Sequence, residues 1–161
     1  MKNNVEMIMI AHIKLSKVED LPSSLSNKVV TVILRKQLGF NGVIITDDMT
    51  MGAITQTYNL SDAAIKAVKA GCDIVLVAKG AQNSVLMLNS LKSAYQKGQL
   101  TEQRINESVY RILSLKEKYG LATPSPSGTQ TTDTMKDLLV NMKQLQNGVC
   151  PQCQRLVILI P

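Results

Sequence analysis

Hydrophobic residues follow two rhythms along the first 121 residues. Short, nearly unbroken apolar runs occur at 5–10 (VEMIMI), 43–46 (VIIT) and 73–77 (DIVLV), beside glycine, proline or serine. Runs of that length between turn signals predict strands buried on both faces of a parallel sheet. Elsewhere the apolar residues recur every three or four positions. Val29, Val30, Ile33 and Leu34 make one such face, and Ala64, Ile65, Ala67 and Val68 a second. A third is Val85, Leu88, Leu91 and Tyr95, and a fourth Ile105, Val109, Ile112 and Leu113. This spacing predicts amphipathic helices. Ser26, Ser61 and Thr101 suit their N-caps, Arg35 and Lys36 suit a C-terminal dipole end, and Gly39, Gly71 and Gly120 suit their exits. The predicted helices cover about 26–38, 62–70, 83–97 and 101–119. The resulting order, β-α-β-α-β-α-α, predicts an α/β fold of parallel strands with right-handed crossovers.

The pattern changes after Leu121. Residues 122–134 read as a flexible Thr-, Ser- and Pro-rich linker. Residues 135–146 predict a short helix through Leu138, Leu139, Met142 and Leu145, and 155–161 (RLVILIP) form an apolar tail. Two accounts of that tail stay open: a frameshifted end, or a segment that packs on the open side of the sheet.

The chain has 161 residues, which bounds it to one modest domain, and 45% hydrophobic content allows a core. Aromatics are only 3%, so that core must be aliphatic. A net charge of +6 and a pI near 9.3 raise nucleic acid as a partner. The Lys and Arg residues are dispersed and not interleaved with aromatics, so no nucleic-acid partner is expected. No apolar run reaches the ~20 residues needed to span a bilayer. The N-terminus also lacks a signal peptide's three-part pattern, so a freestanding product is expected to be soluble and cytoplasmic. Cys150-Pro-Gln-Cys153 supplies half of a tetrahedral zinc site at most. With His12 the single imidazole and Cys72 within the α/β region, no metal and no cofactor is expected.

The chemistry concentrates in ILRKQLGFNGVIITDDMTMGAI, residues 33–54. A predicted strand delivers two carboxylates, Asp47 and Asp48, at its C-terminal end. Taken alone, an acid there is often only the cap of the following turn. The wider spacing says more. Ile33, Leu34, Arg35, Gln37, Gly42, Val43, Ile44, Ile45, Thr46, Asp47 and Thr50 fill every place of the active-site pattern of glycoside hydrolase family 3, and the stretch resembles that family. The resemblance extends more loosely over residues 5–121.

It implies a partial (β/α)8 TIM barrel made of the last three strand–helix units. The first five are absent, so the chain is expected to be incomplete as it stands. It also implies that Asp47 is the nucleophile of a retaining glycosidase, with Asp48 a loop neighbour. Asp48-Met49 in place of the Trp common after the nucleophile in glucosidase-type members is similar to the bacterial β-N-acetylhexosaminidase group. Met9-Ile-Ala-His-Ile13 agrees with that group. The family's upstream Lys-His-Phe-Pro-Gly-His-Gly-like motif is missing, and so is the second-domain Glu of the glucosidase branch. The acid/base is therefore not visible. His12 would sit on the same rim as Asp47, lining the sugar pocket, serving as acid/base, or held as a structural histidine. Met51 would pack under the sugar or in the loop core.

Three functions follow as expectations. One is a β-N-acetylhexosaminidase-type segment cleaving terminal N-acetylglucosamine. Another is an inactive remnant or small sugar-binding module that self-associates through an open sheet edge. The third is a β-glucosidase-type member.

Overall fold

The computed structural model describes residues 5–121 and 156–159. Strands β1 (Met7–Ile10), β2 (Val43–Thr46) and β3 (Ile74–Val77) form a parallel sheet, and β4 (Leu156–Leu159) adds to it in antiparallel sense. The spatial order is β1-β2-β3-β4. Met7 faces Val43 and Ile10 faces Thr46 across the first pair, while Ile45 meets Ile74 in the second. Where β2 and β3 diverge, the Leu76 N–H donates to the Thr46 side-chain oxygen at 3.0 Å. A threonine hydroxyl thus substitutes for a ladder bond.

A 3₁₀ turn (Ser23–Leu25) and a π-wound helix (Lys28–Gln37) join β1 to β2. After β2 come α1 (Gly52–Thr55) and α2 (Leu60–Ala70); after β3 come α3 (Ala81–Gln96) and α4 (Glu102–Lys118). Ser26 does cap the first helix, its hydroxyl accepting from the Val29 N–H at 3.1 Å. The run Val29-Val30-Thr31-Val32-Ile33 is β-branched throughout and a poor α-former. Its wide turns are held from outside. Thr31 Oγ1 donates to the Ala70 carbonyl at 2.6 Å, and the exit closes through Leu38 N–H to Ile33 O at 2.9 Å, before Gly39 at φ +68°.

The sheet is covered differently on its two faces. Ile10, Ile44, Val75 and Val77 pack with Val30, with Ala63, Ala64, Ala67 and Val68 of α2, and with Met87, Leu88 and Leu91 of α3. On the other face Val43, Ile45 and Ile74 pack against Ile112 and Leu115 of α4. Met7 and Met9 share that second face by register and stay exposed, on the strand that forms one edge of the sheet among the described residues.

Several sequence expectations need correction. The first strand begins at Met7 rather than Val5. Asn59, not Ser61, caps the second helix: its side chain accepts from the Asp62 N–H at 2.8 Å, which draws Leu60 into the first turn. Ser61 instead accepts from the Ser90 hydroxyl at 2.7 Å. The third helix starts two residues earlier, at Ala81. Its buried stripe runs through Ser84, Met87, Leu88, Leu91 and Ala94, leaving Val85 in solvent. Small residues admit α2 closely on that side, so the packed face turns away from the most apolar one. Leu113 is likewise exposed. A segment of the tail, residues 156–159, pairs with β3, Ile74 to Leu159 and Val77 to Leu156. The expectations of a linker over 122–134 and a helix over 135–146 lie outside the described residues.

Gly42 shows why the turn before β2 needs glycine. A Cβ there would fall on the Glu6 carbonyl oxygen and within 2.7 Å of the Phe40 ring. Backbone cannot yield as a flexible side chain does. Gly42→Ala is therefore expected to lower unfolding free energy by about 1–3 kcal/mol, read by urea titration.

Candidate active site

Strand β2 ends in a short loop clamped to both neighbours. The Asp47 N–H donates to the Ile10 carbonyl at 3.0 Å, tying the loop to the end of β1. The Met49 N–H donates to the Leu76 carbonyl at 3.0 Å, tying it to β3. These bonds place Asp47 and Asp48 at the C-terminal rim of the parallel strands, the end at which α/β folds build their sites.

The two carboxylates have different environments. Asp48 is saturated: it accepts from the Ala78 N–H at 2.9 Å, the Thr50 N–H at 3.0 Å and Thr50 Oγ1 at 2.6 Å. Burial works to raise its pKa. Thr50 Oγ1, the Ala78 and Thr50 N–H groups and the charge of Lys79 outweigh that and hold the carboxyl below its ordinary value. Asp48 thus staples the loop to the residue after β3. Asp47 is half-buried, and its Oδ1 accepts from the Asp48 N–H at 2.7 Å. Among the described residues its other oxygen has no hydrogen-bond partner, and it takes part in no ion pair.

His12 and Met51, the other residues singled out in the sequence, both lie at this rim. His12 is buried just after β1. Its Nδ1 stands 2.7 Å from Ser24 Oγ and its Nε2 3.0 Å from the Asp48 carbonyl, so both ring nitrogens are engaged. Met51 precedes α1 with its side chain exposed, and its N–H also donates to the Asp48 carbonyl at 3.0 Å. Ser24 was not singled out; nothing in its local pattern distinguishes it from neighbouring serines.

Since Asp48 has a lowered pKa when folded, its charge stabilises the fold above the unfolded value of about 3.9. That contribution fades as pH falls through the folded pKa. Between about pH 5 and pH 2 the native chain is expected to lose more stability than Asp48→Asn does, in urea melts at each pH.

A second polar cluster occupies the opposite end of the strands. Asp73, fully buried before β3, pairs with Arg35, with Arg111 at 3.2 Å and with Arg104 at 3.6 Å, and accepts from Ser108 at 2.7 Å. Asp73 also accepts from the Ile44 N–H at 2.9 Å. Burial draws the Arg35 and Arg104 pKa values down and the Asp73 charge opposes it. Arg35, part of the motif, therefore braces the fold and does not reach the rim. A sequence signal for this cluster existed: Arg104, Ser108 and Arg111 make a polar stripe beside Ile105 and Ile112 on one helix. A cavity of about 770 Å³ lined by Asn41, Asn106, Tyr110 and Arg111, among others, opens at this same end, remote from Asp47. Among the described residues no group of three or more His, Cys, Asp and Glu could hold a metal ion, and no helix is long and apolar enough to cross a membrane.

Residues 1–115 match the model of the glycosyl hydrolase family 3 N-terminal domain. A beta-hexosaminidase of Hydrogenovibrio crunogenus is 42% identical over 76 residues, covering 47% of this chain and 21% of the relative. A beta-N-acetylglucosaminidase/beta-glucosidase of Cellulomonas fimi is 30% identical over 128 residues, covering 73% and 22%. The solved glycoside hydrolase family 3 beta-N-acetylglucosaminidase from Paenibacillus sp. str. FPU-7 superposes with a TM-score of 0.73 at 33% identity, over 89% of this chain and 28% of that one. The chain thus spans between about a fifth and a third of the length of these relatives. An α/β unit with three parallel strands, likeness to those structures and a family match over most of its length make this chain a member of glycosyl hydrolase family 3.

Proposed function

We propose that residues 1–121 supply the last three strand–helix units of a (β/α)8 barrel, that 122–134 link them to the tail, and that Asp47 is the nucleophile of a retaining β-N-acetylhexosaminidase-type site. One observation carries the reading: Asp47 stands at the rim with one oxygen held by a backbone N–H and the other without a partner among the described residues. That oxygen can attack an anomeric carbon while the first keeps the carboxylate oriented. The substrate class is a small carbohydrate with a terminal N-acetylglucosamine. Support for the sugar comes from the names of the relatives and from Asp48-Met49 after the nucleophile. Met51 is assigned to packing against the sugar, a role its exposed side chain supports.

The second group of the mechanism, a proton donor to the leaving oxygen, has no candidate among the described residues, since both nitrogens of His12 are occupied. Among the described residues β1 is an edge of the sheet, with Val5, Met7 and Met9 exposed, and it is where a preceding barrel strand would join. The exposed residues along that edge also allow an alternative, a non-catalytic sugar-binding remnant that self-associates there.

A nitrophenyl N-acetylglucosaminide separates the readings. Nitrophenolate departs without being protonated, so attack by Asp47 is measurable without the missing acid. Release of nitrophenol, or a mass increase of one N-acetylhexosaminyl residue on the Asp47 peptide, supports the hydrolase. A folded chain giving neither supports the remnant. Faster reaction with the glucoside would move the assignment to the β-glucosidase type.

A further inference from the structure

The buried imidazole at the rim is held at both of its nitrogens. A carbonyl can only accept, so Nε2, facing the Asp48 carbonyl at 3.0 Å, carries the proton. Nδ1 is bonded to Ser24 Oγ at 2.7 Å, a hydroxyl able to pair with that nitrogen as donor or acceptor. Ser24 is fully buried, so this hydroxyl has no water to turn to. The chain continues through Asp48: its carbonyl is gripped by His12, its side chain by Ala78 and Thr50, and its N–H donates to Asp47 Oδ1.

From this we infer that His12 is a positioning residue for Asp47. Ser24 anchors the ring at Nδ1, the Nε2–H holds the Asp48 backbone, and the Asp48 N–H sets the direction of the Asp47 carboxylate. The functional meaning rests on Asp47 being the nucleophile; the clamp itself does not. Met51 N–H shares the same carbonyl, so it stays bonded if His12 is lost, and what changes is the orientation of the Asp48 residue.

Two amide substitutions in the full chain separate the roles of the ring nitrogens. A glutamine amide reaches the place of Nε2 and can donate to the Asp48 carbonyl; an asparagine amide reaches only the place of Nδ1 and pairs with Ser24. Hydrogen exchange read residue by residue is the measurement. His12→Asn is expected to speed exchange of the Asp48 N–H by about tenfold. His12→Gln should leave it near the native rate. The Asp47 N–H, bonded to Ile10 and not part of the chain of contacts through His12, is the internal control and stays unchanged in both. Equal rates at Asp48 in the two variants, or acceleration of Asp47 and Asp48 together, overturn the inference, the latter because it marks general loosening. With a nitrophenyl N-acetylglucosaminide, the Asn variant should lose kcat more than it raises KM. Absence of turnover in the native chain defeats the hydrolase reading alone, and the exchange pattern still decides the role of His12.

Discussion

Asp47→Ala is expected to abolish release of nitrophenol from a nitrophenyl N-acetylglucosaminide, a fall on the order of 10⁴-fold or more in kcat/KM. The size follows from what the carboxylate does. It forms the bond to the anomeric carbon, and no neighbouring group can take its place. Asp48 is the nearest oxygen donor, but its carboxylate is committed to Thr50 and Ala78. Its geometry points it at β3 and away from the place Asp47 occupies. The same variant offers a positive test. Azide can enter the space vacated by the side chain and attack from the same side, giving a glycosyl azide of inverted configuration. Unchanged turnover in Asp47→Ala defeats the assignment. Because the leaving group needs no proton, the measurement isolates the nucleophile from the acid that the described residues do not supply.

The second large effect concerns stability. Asp73→Ala is expected to cost about 3–5 kcal/mol of unfolding free energy. Total stabilities of domains this size are about 5–15 kcal/mol, so the variant should stand close to unfolding at ambient temperature. Removing the carboxylate leaves Arg35, Arg104 and Arg111 facing one another at a buried point. The Ile44 N–H and the Ser108 hydroxyl lose their acceptor with it. Arg35→Met should follow in rank. Its guanidinium also donates to the Gly42 carbonyl at 3.0 Å and to the Phe40 and Gly71 carbonyls at 3.3 Å, joining three segments. Arg111→Met should be mildest, since its guanidinium is the most exposed of the three and makes one bond to Asp73. Urea midpoints with constant slope give the order directly. Midpoints equal to that of the native chain in all three variants would show that the cluster carries no special weight.

Considered together, these two predictions divide the motif of residues 33–54 by position along the strand. Arg35 and Gly42 act below β2, one bracing Asp73 and the other letting the chain pass Glu6. Asp47, Asp48 and Thr50 act above it. A sequence pattern that reads as one active-site signature is therefore half scaffold. Four apolar residues of strand keep the two halves at a set separation.

What the amino-acid order determined by itself was local and periodic. Three short apolar runs became β1, β2 and β3 because each is too short for a helix and is flanked by turn residues. Thr101 caps α4 through the Arg104 N–H at 3.2 Å because a hydroxyl three residues ahead of an N–H needs no distant help. Asp47 falls at a strand end for the same reason: the run stops there. Tertiary structure decided what depends on residues far apart in sequence. Ser61 and Ser90, distant in sequence, meet only because α2 docks on α3. The pairing of residues 156–159 with β3, the gathering of three arginines on Asp73, and the engagement of both His12 nitrogens leave no local periodicity to read. Hydrogen bonds and ion pairs between distant segments form only when packing brings donor and acceptor within about 3 Å, and that distance is a property of the fold.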